Sequence, residues 1–228
     1  MDRQNEKALV GEAAATQFVK DGMTVGLGTG STAYYVIKKM GEMIKAGMKL
    51  KGVATSKATE KLAMECGIQL IDINEVEELD LAIDGADEID ANFYAIKGGG
   101  GALLREKIIA NAAKTFIVVA DGSKKVQSLG KFPLPIEVVP FGYKQTERAI
   151  REFGCKTEIR EKDGDIFVTD NGNYIVDCSF SSIQNPTQLH QDLNKIVGVV
   201  ENGLFIDMVD VLISIKEHKK IGVEYVKN

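Results

Sequence analysis

Five short β-type runs separated by amphipathic stretches occupy residues 23–121, and nothing else in the chain restricts its fold as much. The runs are MTVGLG (23–28), LKGVAT (50–55), IQLIDI (68–73), DLAIDGAD (80–87) and TFIVVAD (115–121). Between them, STAYYVIKKMGEMIKA, KATEKLAMEC and ALLREKIIANAA repeat apolar residues three and four apart, as helices with one buried face do. Such alternation predicts an α/β fold: stacked βα units forming a doubly wound, Rossmann-like parallel sheet.

The texture changes at GKFPLPIEVVPFG, which holds three of the four prolines and marks a domain boundary. A strand, the helix YKQTERAIREF, strands divided by the turn signals KDGD and DNGN, the helix PTQLHQDLNKI and the strand GVVENGLF follow. The order β-α-β-β-α-β predicts a smaller ferredoxin-like α/β domain. VDVLISI, near the end, is apolar and β-branched like the early strands, so it is expected to add one more strand to the first sheet. Residues 1–130 plus 206–228 would then form the Rossmann-like catalytic domain, and residues 131–205 the inserted one.

With 228 residues, 44% of them apolar, the chain can bury a core without external staples. A net charge of −5 spread along it gives no basic footprint for nucleic acid. The stretch MDRQNEKALVGEAAATQFV lacks the basic start and continuous apolar run of a secretory signal, and the apolar runs elsewhere are strand-sized. A cytoplasmic protein with no membrane partner is expected. Cys66, Cys155 and Cys178 are odd in number with no C-x-x-C, which suits reduced, buried thiols. His190 and His218, the two histidines, stand in no metal-ligand spacing, so neither zinc nor histidine chemistry is expected.

GLGTGST (26–32) follows a strand and opens a helix, so its amides point at whatever lies above the helix N-terminus. No acid ends the next strand, which disfavours NAD, and no lysine follows Gly30, which disfavours ATP. A small phosphate held by backbone amides and by the hydroxyls of Thr29, Ser31 and Thr32 remains. The plain alternative is a tight turn with a Ser/Thr helix cap. Gly98 to Gly101 cost conformational entropy wherever they are ordered. Their use would be to bring several N–H groups against a ligand at a helix N-terminus, the alternative being a surface hinge.

Asp84 and Asp87 lie where a β-type run ends, the side of an open α/β sheet where ligands gather. A calcium loop is rejected, because Ala86, Ile89 and Ala95 stand at the third, sixth and twelfth positions from Asp84. Two close carboxylates with Lys97 as counter-charge can exchange protons with hydroxyl groups, as sugar chemistry requires. Glu106 sits one turn into the helix after the glycines, facing inward while Arg105 and Lys107 reach solvent or a partner subunit. A glutamate partly removed from water works well as a base.

Together the motifs GLGTGSTA (26–33), TSKATEKLA (55–63), DGADEID (84–90), KGGGGALLREKIIA (97–110), ADGSKKV (120–126), LGKFPLPIEVVP (129–140), VTDNGN (168–173) and GVVENGLF (198–205) resemble those of ribose-5-phosphate isomerase of type A. The resemblance runs nearly end to end. It implies a Rossmann-like domain with a smaller α/β insertion, assembly as a homodimer or homotetramer, and no metal or organic cofactor. By the same resemblance Thr29, Gly30, Ser31 and Thr32 form a phosphate and substrate loop, and Lys7 also reaches the phosphate. Asp84 and Asp87 act as acid/base and hydroxyl-binding groups, Gly85 and Ala86 between them bind substrate, and Lys97 is their charge partner. Gly98, Gly99 and Gly100 bind substrate, Glu106 is the general base, and Lys124 binds substrate. The pattern departs from the family at Gly101, where alanine is frequent, at Gly122, and at DMVDVLI. A related deaminase, a coenzyme A transferase and a sugar-phosphate sensor are the rivals. They are disfavoured by the lack of a motif histidine, by Glu106 lying on a helix, and by the lack of a basic helix-turn-helix.

Overall fold

The computed structural model describes residues 3–216 and 220–226, so His218 lies outside the described residues. The chain divides into two compact units. One takes the residues up to Ala86, Arg105–Lys125 and those from Met208; the other takes Asp87–Leu104 and Val126–Asp207.

Elements are numbered along the whole chain. In the first unit the strands are β1 (Thr24–Leu27), β2 (Lys51–Ala54), β3 (Gln69–Leu70), β4 (Leu81–Gly85), β7 (Phe116–Ala120), β15 (Val211–Ile215) and β16 (Ile221–Tyr225). They form one sheet in the order β16-β15-β7-β4-β1-β2-β3, parallel except for β16. β7 is buried at every position, the pattern of a strand covered on both faces. Helices α1 (Arg3–Phe18), α2 (Ala33–Lys45) and α3 (Lys57–Glu65) belong to this unit, as does most of α4 (Leu103–Asn111). Val10 and Ala14 of α1 and Val36, Ile37 and Met40 of α2 share a core with Val25, Leu27, Ile83, Ile117 and Ile213. α1 reaches α2 closely because Gly11 has no side chain; a Cβ there would lie 2.8 Å from that of Tyr35.

The VDVLISI segment joins this sheet as β15, parallel to β7. IQLIDI pairs only through β3, because Asp72 accepts a hydrogen bond from the Asn74 amide at 2.8 Å and starts a helical turn. β16 has no counterpart among the expected strands. Cys66, Cys155 and Cys178 are free and buried.

In the second unit β8 (Leu134–Val138), β9 (Lys156–Ile159), β12 (Tyr174–Ser179) and β13 (Val199–Asn202) form an antiparallel sheet in the order β13-β8-β12-β9, accompanied by α5 (Tyr143–Arg151) and α6 (Pro186–Leu193). This is the ferredoxin-like arrangement expected. The KDGD turn joins the hairpin strands β10 (Glu161–Lys162) and β11 (Asp165–Ile166), with Asp163 and Gly164 both at positive φ. A further sheet of β14 (Leu204–Phe205), β6 (Ala95–Ile96) and β5 (Glu88–Ile89) was not foreseen.

GVVENGLF, read as one strand, is divided between β13 and β14 at Gly203. There the chain passes so close to its neighbours that a Cβ would fall 2.3 Å from the Lys97 carbonyl oxygen, while the Gly203 amide donates to the Pro135 carbonyl at 2.8 Å. Gly203→Ala must push one backbone off the other. It should lower stability by about 2 kcal/mol, seen as a lower midpoint in urea unfolding with little change in slope.

Candidate active site

In the first unit the chain builds β1, β2 and β3 outward on one side and β4, β7 and β15 on the other, so the strand order reverses between β1 and β4. Open α/β sheets bind ligands at such a point, beyond the carboxyl ends of the strands. Gly28 and Thr29 leave β1 here, and Asp84 and Gly85 close β4. The Gly28 amide donates to the Ile83 carbonyl at 3.0 Å. Asp84, 3% exposed, takes the Thr29 amide at 3.0 Å and the Gly85 amide at 2.7 Å on the same oxygen, Oδ1. A Cβ on Gly28 would overlap that oxygen at 2.2 Å, so the carboxylate occupies the space a side chain would need.

The Thr29 hydroxyl lies 2.7 Å from that of Thr55, 2.8 Å from Ser56 and 3.0 Å from Thr59. Thr59 also donates to the Gly28 carbonyl, Thr55 donates to the Leu27 carbonyl, and Ser56 caps α3 through the Thr59 amide. Sequence reading singled out Thr29 but none of these three, although the hydroxyl-rich TSKAT after β2 was the available signal. Gly30 has φ +109° and leads to exposed Ser31, whose hydroxyl accepts a hydrogen bond from Lys7 Nζ at 2.9 Å. Thr32 is buried and precedes α2 without capping it through its side chain. The free end of this loop therefore carries the Ser31 hydroxyl and the Lys7 ammonium beside a helix N-terminus, which suits an anion.

Glu106 stands in the first turn of α4 and is 4% exposed. Lys107 beside it is also buried, which corrects the expectation that it reaches solvent; it lies on the part of α4 that packs inward, with Ile109 and Ala110. Lys124 ends a helical turn started by Asp121, a buried residue that accepts from the amide and hydroxyl of Ser123 at 2.9 and 2.5 Å.

In the second unit the remaining acids of DGADEID separate by task. Glu88 is buried and takes the amides of Gly130 at 2.7 Å and Phe132 at 2.6 Å, while Asp90 closes its own turn through the amides of Asn92 and Tyr94. Both fold the chain. Asp87 is half-buried, and its Oδ2 accepts from the Gly99 amide at 2.8 Å. Lys97 is 2% exposed with its ammonium 5.3 Å from the centre of the Phe205 ring. A buried cation over an aromatic face gains a cation–π attraction that offsets part of its lost hydration. Gly98 and Gly101 have φ of +102° and +83°, and the Gly101 amide closes the turn on the Gly98 carbonyl at 2.9 Å. Gly99 and Gly100 are exposed.

Residues 51–219 match the family described as ribose 5-phosphate isomerase A (phosphoriboisomerase A). The chain belongs to that family. Ribose-5-phosphate isomerase A of Bacillus mycoides is 56% identical over 205 residues, covering 90% of this chain and 92% of the relative. That of Listeria monocytogenes is 50% identical over 218 residues, covering 95% and 97%. The solved ribose 5-phosphate isomerase from Plasmodium falciparum superposes with a TM-score of 0.96 at 36% identity, over 99% of this chain and all of the other. A D-ribose-5-phosphate isomerase solved in complex with phospho-erythronic acid gives 0.94 at 40% identity, again over 99% and 100%.

The isomerase fold here depends locally on the missing side chain at Gly28. Gly28→Ala should displace the Asp84 carboxylate and break its two amide bonds, exposing the Thr29 amide. The hydrogen exchange of Thr29, followed by NMR, should accelerate by about 10–100-fold, as expected for a bond worth 1.5–3 kcal/mol.

Proposed function

We propose that Glu106 is the general base, and Asp84, Asp87 and Lys97 the ring-opening and hydroxyl-binding groups, of the reaction this chain catalyses. It is an aldose–ketose isomerase interconverting D-ribose 5-phosphate and D-ribulose 5-phosphate, a step of the pentose phosphate pathway. The observation that carries the reading is the family match itself, which spans Asp84, Asp87, Lys97, Glu106 and Lys124. Thr29 to Thr32 lie outside the matched span and are assigned to the phosphate from their place before α2, with Lys7 bonded to Ser31.

The chemistry runs through a cis-enediolate. Asp84, assisted by Asp87 and Lys97, moves the proton of the anomeric hydroxyl to the ring oxygen and frees the aldehyde. Glu106 then takes the proton from C2, and the electron pair left behind moves into the C1–C2 bond and onto O1. Return of the proton to C1 and transfer of the O2 proton to O1 give the ketose. Gly99 donates its amide to Asp87, and the amides of Gly98 and Gly100, which these loop bonds do not use, supply donors for the oxyanion. Lys124 binds the substrate's polar groups. Phospho-erythronic acid, bound in a relative of this fold, joins a phosphate to a planar anionic carboxylate, the charge and shape of an enediolate.

The working form is a homodimer or homotetramer in the cytoplasm. Phe141 and Val197, 95% and 93% exposed, are apolar side chains that a second copy would cover. Free buried thiols suit a reducing compartment.

A proton NMR time course with ribose 5-phosphate in D₂O containing EDTA tests the chemistry. The wild type should form ribulose 5-phosphate with deuterium entering at carbon. Glu106→Gln should bind the sugar phosphate within a few-fold of wild type yet lose about 10²–10⁴-fold in kcat, the range of positioned acid–base catalysis. A variant within about tenfold of wild type would remove Glu106 from this role.

A further inference from the structure

Glycines hold no shape by themselves, so something outside Gly98 to Gly101 must orient their peptides. Arg160, which follows β9, does so: its Nη1 donates to the Gly98 carbonyl at 2.8 Å and the Gly99 carbonyl at 3.2 Å. The guanidinium is itself held by Asp177 of β12, with Nε on Oδ2 at 2.8 Å and Nη2 on Oδ1 at 2.5 Å. The two side chains are only 14% and 23% exposed. The Arg160 amide is fixed to the Ile175 carbonyl at 2.8 Å, and its guanidinium lies 6.0 Å from the Phe167 ring centre. That ring fills the space beside Gly101, where a Cβ would meet it at 2.5 Å.

We propose that Arg160, gripped by Asp177, is a positioning residue that sets and polarises the Gly98–Gly99 and Gly99–Gly100 peptides for catalysis. Each carbonyl shares its plane with the next residue's N–H. The carbonyl of Gly98 belongs with the Gly99 amide, which holds Asp87, and that of Gly99 with the Gly100 amide, one of the oxyanion donors proposed above. A cation on the oxygen end of a peptide draws electron density from its N–H and makes it a stronger donor, as in any hydrogen-bonded chain. The arrangement also fixes the direction of both N–H groups, on which transition-state stabilisation depends more than ground-state binding does. This inference rests on the oxyanion role given to the loop in the preceding section.

Arg160→Ala, Arg160→Lys and Asp177→Asn test it. Arg160→Ala should lower kcat by about 10–100-fold with KM within about threefold of wild type. It should weaken phospho-erythronic acid by a similar factor while leaving competitive inhibition by inorganic phosphate unchanged. Arg160→Lys should recover little, since one ammonium cannot serve two carbonyls and a bidentate carboxylate at once. Asp177→Asn should shift kcat and analogue affinity in the same direction by a smaller factor, and it decides the matter if Arg160→Ala does not fold. Arg160 and Asp177 variants within twofold of wild type in both readouts overturn the proposal. So does a loss that falls equally on inorganic phosphate. Glu106→Gln run alongside separates the two readings: if it keeps turnover the assignment of the base fails, whereas an inactive Glu106→Gln beside unchanged Arg160 variants sinks only the positioning role.

Discussion

A single carboxylate oxygen, Asp84 Oδ1, ties together the ends of the two strands between which the first sheet changes direction. It accepts the Thr29 amide from beyond β1 and the Gly85 amide at the end of β4, and it lies where Gly28 would carry a side chain. Two amides share this one acceptor, at 3.0 and 2.7 Å, and burial to 3% exposure keeps water from competing for them. The path of GLGTGST follows from this. With the Thr29 amide turned toward Asp84, the Thr29 side chain points into the hydroxyl cluster of Thr55, Ser56 and Thr59, and Gly30 can turn the chain into α2.

The acidity of DGADEID has two physical sources. Glu88, in β5, and Asp90, just after it, each satisfy two backbone amides, those of Gly130 and Phe132 and those of Asn92 and Tyr94. Asp84 and Asp87 each bind amides through one oxygen, Oδ1 and Oδ2 respectively. Lys97 shows the same economy on the cationic side. Removing an ammonium from water costs several kcal/mol, of which the Phe205 ring offsets on the order of 1–2 kcal/mol beside the residue's other contacts.

The parts of this architecture that repeat locally were legible before any coordinates. The parallel strands announce themselves by apolar runs, the helices by three- and four-residue spacing, and the small domain by its element order and its DG and NG turns. Features set by a distant partner were not legible. The two-residue strands of the β14-β6-β5 sheet are too short for any period, β16 is a half-exposed edge, and the break at Gly203 comes from the Lys97 carbonyl. Near the glycine loop, Arg160 carried no signal in the sequence because its partners are the carbonyls of Gly98 and Gly99, some sixty positions away in the chain. The inward turn of Lys107 was missed because an isolated helix pattern does not say how far around the helix burial extends.

Exposure sorts the candidate residues by the kind of work they can do. Ser31 and Lys7 meet each other at the protein surface, where a charge contributes modestly and is screened by salt. If they act on the phosphate, as proposed above, they meet a group that does not change during the reaction, so they would strengthen substrate and transition state alike and affect mainly KM. Glu106, Asp84 and Lys97 are each at most 4% exposed, where electrostatic interactions are several times stronger than in water. The charge that appears on the enediolate exists only part-way along the reaction, and groups held in low dielectric act on it without having to reorganise. Under the assignment proposed above, a phosphate grip left open to solvent and acid–base groups kept out of it would be complementary: the first would let substrate and product exchange, and the second would confine the largest electrostatic effects to the step that needs them.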